Sequence, residues 1–304
     1  MITMKPIINI SSISEINNFV LNKTNHPLVA VIDFSKIDGH FEEGTRISCD
    51  FYAVMFKSHC SNKMRYGRQT YDFQDGSLVC FAPKQVVTLD SEIEMKKDMM
   101  GWGLYFHPDL LLGTSLANKI KEYTFFSYDT SEALHLSDKE KQTLFDCIHK
   151  IEIELTENID NHSQTLIASN IELLLNYCSR YYGRQFITRK QVNSSIVSQV
   201  ENLLTDYFKS ERLKEQGLPS VKYLSEEVHL SASYLSDLLK KETGMNAQDL
   251  IHYRLIEKAK ITLLNSDRSV SEVAYSLGFE YPQYFSKLFK MKTGVSPNEF
   301  RSLN

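Results

Sequence analysis

An internal duplication near the C-terminus constrains this chain more than any other feature. Leu224, Val228 and Leu230 recur as Val273, Leu277 and Phe279 at an offset of 49. Leu235, Leu238, Lys240, Thr243 and Gly244 recur as Phe285, Leu288, Lys290, Thr293 and Gly294 at an offset of 50. One extra residue in the second turn accounts for the difference. Each copy has the pattern of a short helix, a tight turn, and a longer helix stopped by a glycine, which accepts the left-handed conformation wanted at a helix C-terminus. Ser269 with Glu272 and Ser296 with Glu299 have the spacing of capping boxes, and Pro297 suits a first helical position. Asn246 and Asp249 open a helix through Ile251, Leu255, Ala259 and Leu263. The expected architecture is two helix-turn-helix units, over about 220–244 and 269–294, joined by a linker helix over 247–264 within an all-α domain spanning 195–304.

The faces of the two longer helices suggest what they meet. In the later copy Phe285, Leu288 and Phe289 fall on one side, and Gln283, Ser286, Lys287 and Lys290 on the other, with Tyr281 and Pro282 at the helix start. In the earlier copy Leu235, Leu238 and Leu239 are candidate core, leaving Ser233, Ser236, Asp237 and Lys240, with Lys241 alongside. Hydroxyl and amide groups on an exposed helix reach base edges in a DNA groove, while lysine bonds guanine or neutralises phosphate. A linker helix of about 18 residues spans roughly 27 Å, near the roughly 34 Å of one DNA turn. A solvated bundle face explains either helix alone well, and the matched pair on a rigid spacer less well than a DNA-reading surface does. Charge is no advertisement: the chain has a net charge of −4, and residues 195–304 hold 14 basic and 14 acidic groups. Binding must then rest on local clusters, namely Lys240–Lys241, Arg254–Lys258–Lys260 and Lys287–Lys290–Lys292.

The N-terminal half has a different texture. Leu28–Ile32, Phe51–Phe56, Ser77–Phe81 and Gly101–Phe106 are short β-branched or aromatic runs, with turn residues at Asp38–Gly39 and Asp75–Gly76. They predict a small antiparallel barrel or sandwich. From a capping box at Ser137 and Glu140 a helix carries Leu144, Ile148, Ile151 and Leu155. A second carries Ile167, Ile171, Leu174, Cys178 and Tyr181. These stripes pair with each other or with a second subunit, and the second stripe is the expected dimer interface. The polar, basic segment 184–194 is the expected linker, which leaves 1–183 as the first domain.

Several function classes are excluded or left without support. No apolar stretch approaches the roughly 18 residues of a membrane span, and the N-terminus lacks a signal-peptide core, so a cytoplasmic location without membrane partners is expected. Five cysteines (Cys49, Cys60, Cys80, Cys147 and Cys178) include no C-x-x-C pair, which argues against a disulfide scaffold or zinc ribbon. The nine histidines form no H-x-H or H-x-x-x-H pattern, and His59–Cys60 is the one adjacent pair of candidate ligands. No metal or cofactor is therefore expected. Nucleophile elbow, phosphate loop and dinucleotide fingerprint are all missing, so no catalytic residue is named. The rival reading is a cupin-type enzyme or small-molecule-binding protein with a helical interaction domain.

The segment Val270-Ser271-Glu272-Val273-Ala274-Tyr275-Ser276-Leu277-Gly278-Phe279, then Tyr284-Phe285-Ser286-Lys287-Leu288-Phe289-Lys290, Gly294-Val295-Ser296-Pro297 and Phe300-Arg301, resembles the signature of the AraC/XylS transcriptional regulators. Leu230-Ser231, Tyr234-Leu235-Ser236, Lys240-Lys241-Glu242-Thr243-Gly244, Arg254, Ala259-Lys260 and Leu263-Leu264 agree with it. The likeness covers about 85 residues. His229 departs from it, standing where the family usually has glycine. More loosely, Tyr71–Pro83 and Trp102–Pro108 resemble the family's cupin-like sensor domain, although Val87 occupies the histidine position of its P-x-x-x-H stretch. The resemblance implies an α+β two-domain protein: a cupin-like antiparallel β-barrel with two following helices, for effector sensing or dimerisation, and a DNA-binding domain. Its implied partners are double-stranded promoter DNA, RNA polymerase contacted during activation, a second copy in a homodimer, and a small-molecule effector.

Overall fold

The computed structural model describes residues 5–20, 23–37, 40–60, 64–66, 69–71, 76–88, 93–94 and 99–303. The turn expected at Asp38–Gly39 lies outside them, as do Asp75 and the side chains of His59 and Cys60. The chain divides into two compact units, one up to Thr188 and one from Arg189 onward.

The first unit is built on β strands. β1 (Ile7–Ile10), β2 (Val29–Asp33), β3 (His40–Phe41), β4 (Arg46–Cys49), β5 (Tyr52–Cys60) and β6 (Met64–Tyr66) come first. β7 (Gln69–Tyr71), β8 (Ser77–Phe81), β9 (Val86–Thr88), β10 (Ile93–Glu94), β11 (Met99–Phe106) and β12 (Leu134–His135) follow. The described strands do not close into the expected antiparallel barrel. A five-stranded sheet, β12-β8-β5-β11-β2, stands apart from a three-stranded sheet, β1-β4-β9, and from the pairs β3–β10 and β6–β7. Nor is the pairing wholly antiparallel, since β1 runs parallel to β4.

Burial supplies the physical reason. β8 is buried at every position, so the larger sheet is covered on both faces and needs no closure to hide its apolar surface. On one face Ala53, Val79, Phe81 and Tyr105 pack with Ile10 of β1, Ile47 of β4 and the helix α1 (Ile13–Phe19). On the other, Tyr52 and Phe106 stack at 5.1 Å and Phe126 meets Tyr52 edge-on.

A short helix α2 (Leu116–Lys119) precedes the pair α3 (Asp138–Thr156) and α4 (Ser163–Thr188). The Ser137–Glu140 capping box forms as expected. The stripe Ile167, Ile171, Leu174, Cys178 and Tyr181 is buried throughout, together with Leu144, Ile148 and Ile151 of α3. This corrects the dimer expectation for those five residues: they are core of the unit. A heptad-like stripe has no way of declaring whether it faces another chain or its own sheet. The outward face of α4 carries Leu166 and Leu173 instead, both exposed.

The segment 184–194 is also not a loop. α4 runs to Thr188 and α5 (Lys190–Lys209) follows after one residue. Its anchors are polar and so invisible to hydrophobic periodicity. The Gln185 side chain accepts from the His135 backbone N–H at 2.9 Å and donates to the Ala133 carbonyl at 3.1 Å. Arg184 donates to both Glu140 oxygens and to the His135 carbonyl.

The second unit is helical. α5 leads into α6 (Arg212–Gln216), then α7 (Val221–Glu227), α8 (Ala232–Thr243), α9 (Ala247–Leu264), α10 (Val270–Ser276), α11 (Pro282–Thr293) and α12 (Pro297–Leu303). Val200 and Leu204 of α5, Leu235 and Leu239 of α8, Ile251 and Leu255 of α9, and Phe285 and Phe289 of α11 share one core. Both helix-turn-helix units therefore fold around a common interior. No helix among the described residues is long and apolar enough to cross a membrane.

Candidate nucleic-acid interface

The two helix-turn-helix units repeat each other down to single hydrogen bonds. In the first turn the N–H groups of Val228, His229 and Leu230 reach the carbonyls of Leu224, Glu226 and Ser225. In the second, those of Leu277, Gly278 and Phe279 reach Val273, Tyr275 and Ala274. His229 and Gly278 occupy the same left-handed position, at φ 57° and 81°. Both long helices end on a left-handed glycine, Gly244 or Gly294, whose N–H returns to Lys240 or Lys290. The preceding threonines repeat as well, Thr243 donating to Leu239 and Thr293 to Phe289, each at 2.8 Å.

The linker helix α9 is held at both ends. Asn246 caps its start by accepting from the Asp249 N–H at 2.9 Å. Lys292 of α11 pairs with Asp249 at 2.8 Å, and Arg301 of α12 donates to the Leu263 carbonyl at 3.0 Å. Arg254 pairs with Glu201 at 3.2 Å, Lys260 pairs with Glu257, and Lys258 donates to the Phe208 carbonyl at the end of α5. Burial lowers the Lys258 pKa from its usual value. In the cluster expected at Arg254–Lys258–Lys260, Arg254 and Lys258 thus tie α9 to α5, and Lys260 is paired within α9 itself.

The other cationic clusters are better placed for a polyanion. Lys240 and Lys241 on α8 and Lys287 and Lys290 on α11 are exposed, and none makes an ion pair among the described residues. Gln283 and Tyr281 are exposed, while Ser233, Ser236, Asp237, Pro282 and Ser286 are half-buried. Leu235, Leu238 and Leu239 lie inward on α8, as do Phe285 and Phe289 on α11, with Leu288 half-buried beside them. Two exposed residues of α11 escape the sequence reading, Tyr284 and Met291. Nothing in the sequence analysis assigns either of them a role, and their exposure shows that they point outward. No group of three His, Cys, Asp or Glu side chains suited to a metal occurs among the described residues.

A profile of the helix-turn-helix domain family matches residues 224–302. The Msm operon regulatory protein of Streptococcus mutans is 23% identical over 300 residues, which cover 97% of each chain. The arabinose operon regulatory protein of Escherichia coli is 24% identical over 234 residues, 75% of this chain and 72% of the relative. The HTH-type transcriptional activator RhaS of Salmonella arizonae is 32% identical over 109 residues, 36% of this chain and 37% of that protein. Duplicated helix-turn-helix units on one clamped linker helix, in a chain that aligns end to end with an operon regulator, make this protein a sequence-specific DNA-binding transcription regulator similar to those of the AraC/XylS family.

Proposed function

We propose that α8 and α11 enter successive major grooves on one face of duplex DNA and read two short base clusters about 10 base pairs apart. The observation that carries this reading is the clamped linker: the Lys292–Asp249 and Arg301–Leu263 ties, with the shared core, make the two helices one rigid reading block. Gln283, Ser286 and Lys287 of α11, and Ser233, Ser236 and Asp237 of α8, are the base-reading candidates, with Tyr281 and Pro282 setting the entry of α11. Lys240, Lys241 and Lys290 serve phosphate. Hydroxyl-radical footprinting of the full-length protein on a selected operator tests this. Two protected clusters one helical turn apart are expected, and a single cluster overturns the reading.

The first unit, in this proposal, is a cupin-like control domain that responds to a small-molecule effector and holds a homodimer. With the Ile167–Tyr181 stripe consumed as core, the dimer contact falls on the outward face of α4 at Leu166 and Leu173, seven residues apart and so on one side of the helix. Activation through contact with RNA polymerase is the mode we assign, supported by the likeness to a named activator. Sedimentation of a Leu166→Glu, Leu173→Glu variant checks the dimer: a monomer with normal DNA affinity for a single half-site is expected.

A further inference from the structure

The outer face of α11 is two-sided. Taking the buried Phe285 and Phe289 as inward, a rotation of 100° per residue puts Lys287 at the centre of the outer face. Gln283 and Lys290 flank it on one side. Tyr284 and Met291 flank it on the other, seven residues apart along the same edge. Tyr284 is 62% exposed and Met291 67% exposed. At the matching positions of α8 stand Tyr234, only 4% exposed, and Lys241. The first helix therefore lacks the apolar edge that the second presents. Tyr281 meets Tyr284 edge-on, with ring centroids 5.8 Å apart, which restricts the ring before any partner arrives. Exposed ammonium groups at Lys287 and Lys290 beside this edge match it to a polyanion rather than to an apolar protein surface.

Resting on the reading of α11 as a groove-entering helix, we propose that Tyr284 and Met291 determine specificity by packing on thymine C5-methyl groups. The methyl group is the one apolar feature of the major groove, and it distinguishes thymine from every other base. Seven helical residues span about 10.5 Å, close to three base-pair steps of about 3.4 Å. The half-site read by α11 then carries thymines about three positions apart, with Lys287 facing the bases between them.

The test needs only the full-length protein and synthetic duplexes. An operator selected from a random pool is remade with uracil for thymine, one position at a time, which removes a single methyl group and leaves the pairing intact. For the unaltered protein, uracil at one or two positions of one cluster should weaken binding about fourfold per methyl, the equivalent of about 0.8 kcal/mol. The Tyr284→Ala, Met291→Ala variant should bind thymine and uracil duplexes alike, while Tyr284→Phe should keep the uracil penalty. Specific binding with no uracil-sensitive position overturns this inference and leaves the reading of α11 standing. So does an undiminished penalty in the double variant, or its loss in Tyr284→Phe, which would shift the contact to the hydroxyl. Failure to select any sequence overturns both.

Discussion

The two helix-turn-helix units share a backbone and differ in much of what they show to solvent, Lys240 and Lys290 excepted. Their turns make the same three hydrogen bonds, yet one is built on His229 and the other on Gly278. The reason lies beside each turn. A Cβ on Gly278 would collide with the Leu213 carbonyl and press on Gly217, whereas His229 is exposed. The entries differ too: the Ser231 hydroxyl caps α8, while α11 starts from Tyr281 without a side-chain cap and uses Pro282. Along the helices, α8 sets Lys240 and Lys241 against Asp237 and Glu242, and α11 carries Lys287, Lys290 and Lys292 with no acid. Caps, glycine stops and a common core hold the motif, which frees the outward residues to diverge.

The largest test of that common core compares Phe289→Ala with Leu239→Ala, which fill matching positions and are both fully buried. The first should cost about 3–5 kcal/mol and the second about 2–5 kcal/mol. In urea titrations each should move a single transition of the second unit. Separate transitions for the two helix-turn-helix halves would break the picture of one interior.

The recognition faces come next. Lys287→Ala should lose about 1–3 kcal/mol of specific binding while melting normally. Lys290→Ala should weaken all DNA alike and lower the salt slope by about one unit. Anisotropy titrations at several salt concentrations separate the two effects. Operator affinity unchanged in Lys287→Ala would remove α11 from the groove.

The turns offer a test by unequal size. Gly278→Ala should destabilise by at least about 1–2 kcal/mol, because a left-handed alanine is strained even before the collision is counted. His229→Gly should stay within about 1 kcal/mol of the parent, since relief of strain is offset by the entropy of glycine in the unfolded chain. Equal losses at both turns would show that their surroundings do not differ in the way described.

The smallest effect concerns acid. The Ser269 and Ser296 N–H groups hold the Glu272 and Glu299 carboxylates below the usual glutamate pKa, and the Lys292 ammonium lowers that of Asp249. A carboxylate with a lowered pKa stabilises the fold above its unfolded value, and that contribution is lost as pH falls through the folded value. The caps of the first helix-turn-helix unit, at Ser220 and Ser231, have Tyr223 and Tyr234 three residues on, where a capping box places its glutamate. Below about pH 4, amide signals at the starts of α10 and α12 should therefore shift before those of α7 and α8.

How far the sequence could be read depended on the range of the interactions. The capping boxes at Ser137, Ser269 and Ser296, the glycine stops and the duplicated turns were all legible, because each is completed within about five residues. The end of α4 was not, because Gln185 and Arg184 find their partners about 50 residues away, at β12 and Glu140. The lysines divided the same way. Lys287 and Lys258 look alike in a sequence, but one lies on an outer face and the other is drawn to a carbonyl at the end of α5.

What the sequence by itself determined is the repeated helix-turn-helix backbone and its linker helix, which rest on local hydrogen bonds and on helical periodicity. Tertiary structure alone decided that the large sheet is covered from both sides instead of closing. It also decided that Ile167, Ile171, Leu174, Cys178 and Tyr181 face inward, and that Tyr284 faces out where Tyr234 is buried. A side chain's position on its own element follows from its spacing, but what it meets depends on elements far away in the chain. Burial of apolar area has no direction of its own, so only the assembled packing assigns each stripe its partner.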